Sequence, residues 1–350
     1  MKTLWYYLFK LFLKTSLFFY TKKIVVSGKE NIPKKGAVLF AINHPNGLID
    51  PLLATTNIPR VNHFLVRAAI FKKPSVKWFL STLNLMPIYR IRDGVSNLGK
   101  NQAIFEDCFT IFKKGETLMI FPEGSHDKRR TVRVLSKGFT RIVFGAIEKY
   151  PEINISIIPV GITYQQASKY PAKVAINFGK PINANSFLAK DELTTATVKL
   201  KNEVSYQLKQ LSVHIPFNDD YKITLKKLNK GHVDFTDVKK VNGFIEKNEF
   251  PEEKAPQQNN FKWLLFLIRI NCFVPLLIWR MASKKIDELE FIDTFRFALN
   301  AFNFPIFLVL QSVIVNLFFG TTIGLIYLLV SVLLLWCYVK LAPTNTESNN

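Results

Sequence analysis

Apolar and polar positions along this chain change rhythm several times, and each change marks a structural unit. At the start, in MKTLWYYLFKLFLKTSLFFYTKK, Thr3, Tyr7, Lys10 and Lys14 recur at spacings of four, three and four. That rhythm puts them on one narrow polar face of a helix, with Phe, Leu and Trp around the rest. The pattern predicts a helix over residues 1–23 that lies in a membrane interface, with Lys22 and Lys23 near the lipid headgroups. The competing reading is a core helix of the folded domain. A secretory signal is disfavoured, because Lys10 and Lys14 break the apolar run and no small-residue cleavage site follows.

From residue 24 the rhythm alternates between short apolar runs and helical periods. AVLFAI (37–42), TLMIF (117–121) and ISIIPVGI (155–162) read as buried strands, and HFLVRA and MPIYR as weaker ones. In NLGKNQAIFEDCFTIFKKGE, Leu98, Ile104, Phe105, Cys108, Ile111 and Phe112 share a helix face. Lys113 and Lys114 fall in its last turn and Gly115 at its stop. A further helix is expected near 190–211. Such alternation predicts an α/β domain over 24–211, a mixed, mostly parallel sheet flanked by helices, with ligands beyond the carboxyl ends of its strands.

Residues 212–260 turn polar and end in EFPEEKAPQQNN, a helical or linker region by composition. Beyond 261 the chain is hydrophobic. FKWLLFLIRINCFVPLLIWRM is interrupted by Arg269 and Asn271, which makes it a doubtful span, re-entrant or packed on the domain. The run from Phe297 to Val339 carries no charge and is too long for one crossing. With a turn at NLFFGTTIG it predicts a transmembrane hairpin of helices over roughly 302–318 and 322–340. Lys284, Lys285 and Arg296 before it and Lys340 after it place both ends, and the α/β domain, on the cytoplasmic side.

Charge narrows the partners. Lys and Arg number 47 against 26 Asp and Glu, a formal charge of +21. This excess suits nucleic acid, anionic lipid or phosphorylated small molecules. The lipid-length apolar runs favour membrane lipid and disfavour nucleic acid. Cys108, Cys272 and Cys337 are dispersed, so neither a disulfide framework nor a zinc site is expected.

Chemistry-bearing residues cluster at the predicted strand ends. AINHPNGLID carries Asn43, His44 and Asp50; MPIYR ends in Arg90, with Arg92 close by. MIFPEGSHDKRR leaves a strand through Phe121 and Pro122 into Glu123, Gly124 and Ser125. LSKGFTRI opens a helix with Lys137 and Arg141, and IIPVGITY ends another strand. His44 and Asp50 are not spaced for one face of a straight helix, so the segment must curl back through Pro45, Asn46 and Gly47. His63, His126, His214 and His232 show no ligand-like spacing, and DKRRTVR reads first as a solvated charge run that could also dock anionic headgroups.

The order of these stretches resembles the glycerophosphate and lysophosphatidate acyltransferase superfamily. The resemblance covers about residues 24 to 182. Asn43, His44 and Asp50 match its first motif, Arg90 the arginine of its second, and Phe121, Pro122, Glu123 and Gly124 its third. The segment around Pro159 matches the fourth. Five residues separate His44 from Asp50, where most of the superfamily has four. The longer spacing resembles a subset that includes fungal glycerol-3-phosphate acyltransferases, and it leaves the acceptor open between glycerol 3-phosphate and its monoacyl product.

The resemblance implies fatty acyl transfer from a thioester, acyl carrier protein or acyl-coenzyme A, to a hydroxyl. His44 would be the general base and Asp50 the carboxylate that orients it. Arg90, Lys137 and Arg141 are candidates for the acceptor phosphate. The resemblance puts Phe121, Pro122, Glu123 and Gly124 at the substrate site. No metal or bound cofactor is implied. The rivals are acyl transfer to another lyso-lipid or aminolipid, a non-catalytic basic membrane-binding protein, and a hydrolase. The last is disfavoured because no G-x-S-x-G occurs.

Overall fold

A computed structural model describes residues 2–89, 99–167, 169–255, 260–286 and 292–344. In chain order its elements are α1 (Lys2–Tyr20), β1 (Thr21–Ser27), β2 (Ala37–Ile42), α2 (Ile49–Asn57), β3 (Asn62–Arg67), α3 (Pro74–Thr82) and β4 (Leu85–Ile88). They continue with α4 (Asn101–Lys113), β5 (Thr117–Ile120), α5 (Gly138–Lys149), β6 (Ile155–Tyr164), β7 (Ala172–Phe178), β8 (Ile182–Asn183), α6 (Asn185–Leu188) and α7 (Leu193–Leu211). The C-terminal part holds α8 (Tyr221–Lys230), α9 (Val238–Lys247), α10 (Lys262–Asn271), α11 (Phe273–Ser283), α12 (Ile292–Phe319) and α13 (Thr321–Leu341).

One sheet runs β1-β7-β6-β2-β5-β3-β4, with β8 pairing β6 off this path. The chain is parallel from β6 through β2, β5 and β3 to β4; only the pairings of β6 with β7 and β8 are antiparallel. The carboxyl ends of these five parallel strands therefore line one edge. Every residue of β2 is buried, as a central strand covered on both faces requires. The apolar faces of α4, α5 and α7 close one side of the sheet. On the other side, α1 and α2 bury Tyr6, Leu17, Tyr20, Ile49 and Leu53.

Pro159 lies inside β6, although proline lacks the N–H that a sheet ladder uses. Its neighbour Val160 faces β2, accepting from the Asn43 N–H, so Pro159 faces the other way. On that side β8 has stopped pairing at Ile157 and β7 begins at Val160, so no ladder bond is lost. Two residues on, the C-terminal end of α7 crosses so close that a Cβ on Gly161 would stand 2.1 Å from the Leu211 carbonyl oxygen. Only glycine fits there.

The first helix faces two ways. Tyr6, Leu17 and Tyr20 pack into the domain, and the Lys10 ammonium reaches the Ile58 carbonyl. Leu4, Leu8, Leu11 and Phe18 stay exposed on the other side. The buried residues fit the core-helix reading, and Lys10, on the predicted polar face, meets protein. Lys22, expected near headgroups, donates instead to the Ala342 carbonyl at 2.8 Å.

Residues 212–255 contain α8 and α9, and Leu228 and Val241 of these helices form a small core with Val213, Ile215, Val233 and Phe235 of the connecting segments against Ala175 of β7. The segment graded a doubtful span breaks into α10 and α11, bent by 93°. Beyond it, α12 and α13 are long and apolar enough to cross a membrane. Gly320, at φ +86°, makes the turn between them. The break between α10 and α11 is satisfied from the hairpin. Gln311 Nε2 donates to the Asn271 carbonyl, the Tyr327 hydroxyl to Asn271 Oδ1, and Asn271 Nδ2 to Ser331 Oγ, at 3.0, 2.6 and 3.1 Å. The polar atoms at the break are thus paired within the protein.

Candidate functional site

The site begins where β2 ends. Asn43 extends the strand with its side chain, its Nδ2 donating to the Ile162 carbonyl at 3.0 Å and its Oδ1 accepting from the Ile162 N–H at 2.7 Å. The amide thus clamps the exit of β2 to β6. His44 follows, then a bend through Pro45, Asn46 and Gly47, and α2 starts at Ile49. Asp50 falls in the first turn of that helix, where the peptide dipoles favour a carboxylate. The expected curl is therefore a short loop closed by a helix start.

His44 Nδ1 and Asp50 Oδ2 are 2.8 Å apart, with the Asp50 side chain fully buried and that of His44 14% exposed. The Asn46 backbone N–H donates to the same oxygen at 2.6 Å, and the Tyr164 hydroxyl donates to Oδ1 at 2.6 Å. Burial pushes the Asp50 carboxyl up, while Tyr164, Asn46 and the nearby His126 pull it back. An ionised carboxylate is an acceptor only, so it alone can take all these donors. The arrangement leaves His44 one fixed orientation and one exposed edge.

The second loop leaves β5. Phe121, Pro122, Glu123 and Gly124 form a tight turn, closed by the Gly124 N–H on the Phe121 carbonyl at 3.1 Å. Proline fits the second position of such a turn, and Gly124 takes φ +74°. The Phe121 ring stacks on the His44 ring at 4.1 Å between centroids. Glu123 points inward, its side chain 3% exposed, and is gripped by Arg133 through Nε and Nη2 at 2.9 and 2.6 Å. Burial raises the Glu123 carboxyl against the pull of Arg133 and His44. The Asp127 N–H on the His44 carbonyl at 2.9 Å ties the two loops together.

DKRRTVR is therefore more than the solvated charge run it resembled. Arg133 braces Glu123, and Arg130 donates to the Tyr164 and Gln165 carbonyls at 2.7 Å each while lying over the Phe235 ring at 3.6 Å. Only Arg129, paired with Asp127, is exposed. These arginines act on loop structure because carbonyls and a carboxylate, unpaired in that fold, need donors.

Lys137 stands at the N-cap position of α5 without a side-chain cap bond and Arg141 lies in its first turn, both exposed. Arg90 and Arg92 lie outside the described residues. The backbone up to Tyr89 is held by Asn101, whose Oδ1 accepts from the Tyr89 N–H and whose Nδ2 donates to its carbonyl. His63 sits beside Glu116, and His214 accepts from the Val132 N–H. His126, which shows no ligand-like spacing in the sequence, has its ring 5.7 Å from that of His44.

Sequence reasoning missed Tyr164, Asn46, Arg133 and Asp293, which accepts from Asn46 Nδ2 at 3.2 Å. Tyr164 carried a weak signal, a tyrosine closing the apolar strand IIPVGITY. Asp293 carried none, standing 247 residues from Asn46. No group of three His, Cys, Asp or Glu side chains suited to a metal ion occurs among the described residues.

Residues 23–163 match the family model described as Acyltransferase. Over 80 residues, 23% of this chain, the sequence is 28% identical to Glycerol-3-phosphate O-acyltransferase 1 of Saccharomyces cerevisiae. Over 167 residues, 48% of the chain, it is 25% identical to the 1-acyl-sn-glycerol-3-phosphate acyltransferase of Borreliella burgdorferi. The matches span 10% of the yeast protein and 61% of the bacterial one. The crystal structure of the 1-acyl-sn-glycerophosphate (LPA) acyltransferase, PlsC, from Thermotoga maritima overlaps 61% of this chain and 83% of its own, at 19% identity and a TM-score of 0.45.

Proposed function

On the match of residues 23–163 to the Acyltransferase family model, we propose that this chain is a glycerolipid acyltransferase, transferring a fatty acyl group from a thioester to the hydroxyl of glycerol 3-phosphate or 1-acylglycerol 3-phosphate. The observation that carries the reading is the His44–Asp50 contact, 2.8 Å from ring nitrogen to a wholly buried carboxylate. With Nδ1 committed to Asp50, Nε2 is the nitrogen that takes the proton of the acceptor hydroxyl. The oxygen attacks the thioester carbonyl, and the tetrahedral intermediate expels the thiolate, to which His44 returns the proton. Asp50 holds the tautomer and stabilises the imidazolium as it forms. A thioester is activated already, so the acceptor oxygen is nucleophile enough without an acyl-enzyme.

Supporting roles follow from position. Phe121 packs flat on the His44 ring and limits its rotation. Glu123, held by Arg133, orders the turn that Pro122 and Gly124 shape, beside the acceptor. Arg90, Lys137 and Arg141 are assigned to the acceptor phosphate on charge and chain position. The donor is acyl carrier protein or acyl-coenzyme A, and the domain faces the cytoplasm, where such thioesters reside. The exposed apolar face of α1 and the pair α12 and α13 hold the site at the bilayer, where a lipid product is released.

The test is direct. Purified protein in lipid nanodiscs is incubated with labelled acyl-coenzyme A or acyl carrier protein and a panel of acceptors: glycerol 3-phosphate, its 1-acyl derivative, other lyso-phospholipids and a lyso-aminolipid. Labelled lysophosphatidate or phosphatidate is the expected product. Labelling of the lyso-aminolipid alone would replace the acceptor, and no labelled lipid with any pair would overturn the reading.

A further inference from the structure

The matched family segment ends at residue 163, yet the loop that carries His44 is completed by the start of α12. Asn46 Nδ2 donates to the Ala167 carbonyl at 2.9 Å and to Asp293 Oδ2 at 3.2 Å. The Asn46 backbone N–H is the donor to Asp50 Oδ2 at 2.6 Å. Two residues on, the Leu48 N–H donates to Thr294 Oγ1 at 3.2 Å. Asp293 and Thr294 thus hold both sides of Gly47, the residue at which this loop would otherwise turn most freely.

The anchor is itself well held. Asp293 is 3% exposed and is paired with Arg296 one turn along α12. Arg296 donates through Nε to the Tyr20 hydroxyl at 2.9 Å, and the Tyr20 ring meets Phe297 edge-on at 5.2 Å. A chain of contacts therefore runs from Asp50 through Asn46, Asp293 and Arg296 to the end of α1. Asn46 Oδ1 is buried with no hydrogen-bond partner among the described residues, so the amide is oriented by its two donated bonds alone. Removing the Asp293 acceptor leaves one.

We propose that Asp293 and Thr294, in the first turns of the membrane hairpin, are positioning residues for the His44–Asp50 pair, so that the site is complete only when α12 is seated on the domain. This rests on the acyl-transfer reading above. It makes the hairpin part of the catalytic apparatus, beyond its service as an anchor: a domain without it would bind substrates and turn them over slowly. The mechanism is indirect. Each restrains Asn46 or Leu48, and Asn46 supplies the N–H that fixes Asp50.

The experiment uses the full chain in nanodiscs and a substrate pair that the wild type turns over. Asp293→Ala is expected to lower kcat by about 10- to 100-fold, the scale of a small misplacement of reacting groups. Both KM values should stay within about twofold, because uniform binding is untouched. Asn46→Ala should cause a similar loss, and the double variant no more than the larger single one, because the two act through one bond. Ser331→Ala, which removes a hydrogen bond deeper in the hairpin, should leave kcat unchanged. Multiplying losses in the double variant, or a folded Asp293→Ala with wild-type kcat, would overturn the proposal. Should Asp293→Ala fail to fold, Thr294→Val carries the test by removing the Leu48 bond alone: kcat falls at unchanged KM if the proposal holds, and unaltered kcat sinks it. A wild type inactive on every pair would defeat the acyl-transfer reading, whereas an active wild type with indifferent variants defeats only this inference.

Discussion

The Tyr164 hydroxyl donates to Asp50 Oδ1 at 2.6 Å, the oxygen that His44 does not use. Strand β6 thereby supports a pair built by β2 and α2. Tyr164→Phe removes that donor from a fully buried carboxyl whose protonation burial already favours. The Asp50 carboxyl should therefore rise further, and the acid limb of the pH–rate profile should move to higher pH. A lost hydrogen bond to a charged group costs ~1.5–3 kcal/mol of stability, which thermal unfolding would register. An acid limb that stays in place would mean that Tyr164 is mere packing.

His44→Ala should cut turnover by a factor of ~10²–10⁴ while the fold survives, since the ring is partly exposed and carries no ladder bond. Asp50→Asn should be comparably severe, because an amide can present an N–H to Nδ1 and stabilise the wrong tautomer. Circular dichroism checks the fold and product formation the rate. Near-normal turnover in His44→Ala would reduce AINHPNGLID to an ordinary turn.

His214 gives stability a pH dependence. Burial, and secondarily Lys209, lowers its pKa to about 4 from the usual 6.5, and its Nδ1 accepts from the Val132 N–H at 3.1 Å. A proton on that nitrogen would break the bond, so the folded state resists protonation that the unfolded chain accepts. Stability is fully present above about pH 6.5 and is lost as pH falls towards 4. The ring is only half-buried, so the loss, discounted for solvent, is roughly 1–2 kcal/mol. His214→Gln should flatten the change in unfolding temperature between pH 7 and 5. An equally steep change in the variant would assign the dependence elsewhere.

Charge placement predicts an orientation. Lys340 donates to the Phe18 and Thr21 carbonyls at 2.7 and 2.8 Å, so the end of α13 returns to the domain surface where α12 began. With Lys284, Lys285 and Arg296 on that side and an uncharged turn at Gly320, a reporter fused after Asn350 should read cytoplasm and one inserted at Thr321 the opposite face. A C-terminal reporter on the far side would require an odd number of crossings, most simply with the bent α10 and α11 pair as one span.

What the sequence determined by itself was local. Six consecutive apolar residues at 37–42 specify a buried strand wherever it sits, and an uncharged run from Phe297 to Val339 specifies a hairpin because lipid tolerates little else. His44, Asp50 and the turn of Phe121 to Gly124 were legible because their residue types and spacing are set by the chemistry and by turn geometry. The edge element β1 was less so: it mixes Thr21, Lys22, Lys23 and Ser27 with its apolar residues, since an edge strand is half-solvated. Tertiary structure alone decided which donors complete the carboxylate. Tyr164 reaches Asp50 because β6 lies beside β2, and Arg133 reaches Glu123 because the loop after β5 folds back on itself. Asp293 reaches Asn46 because α12 docks on the loop that follows β2. A buried acceptor must find its donors somewhere, but periodicity and spacing cannot say from which distant strand or helix they come.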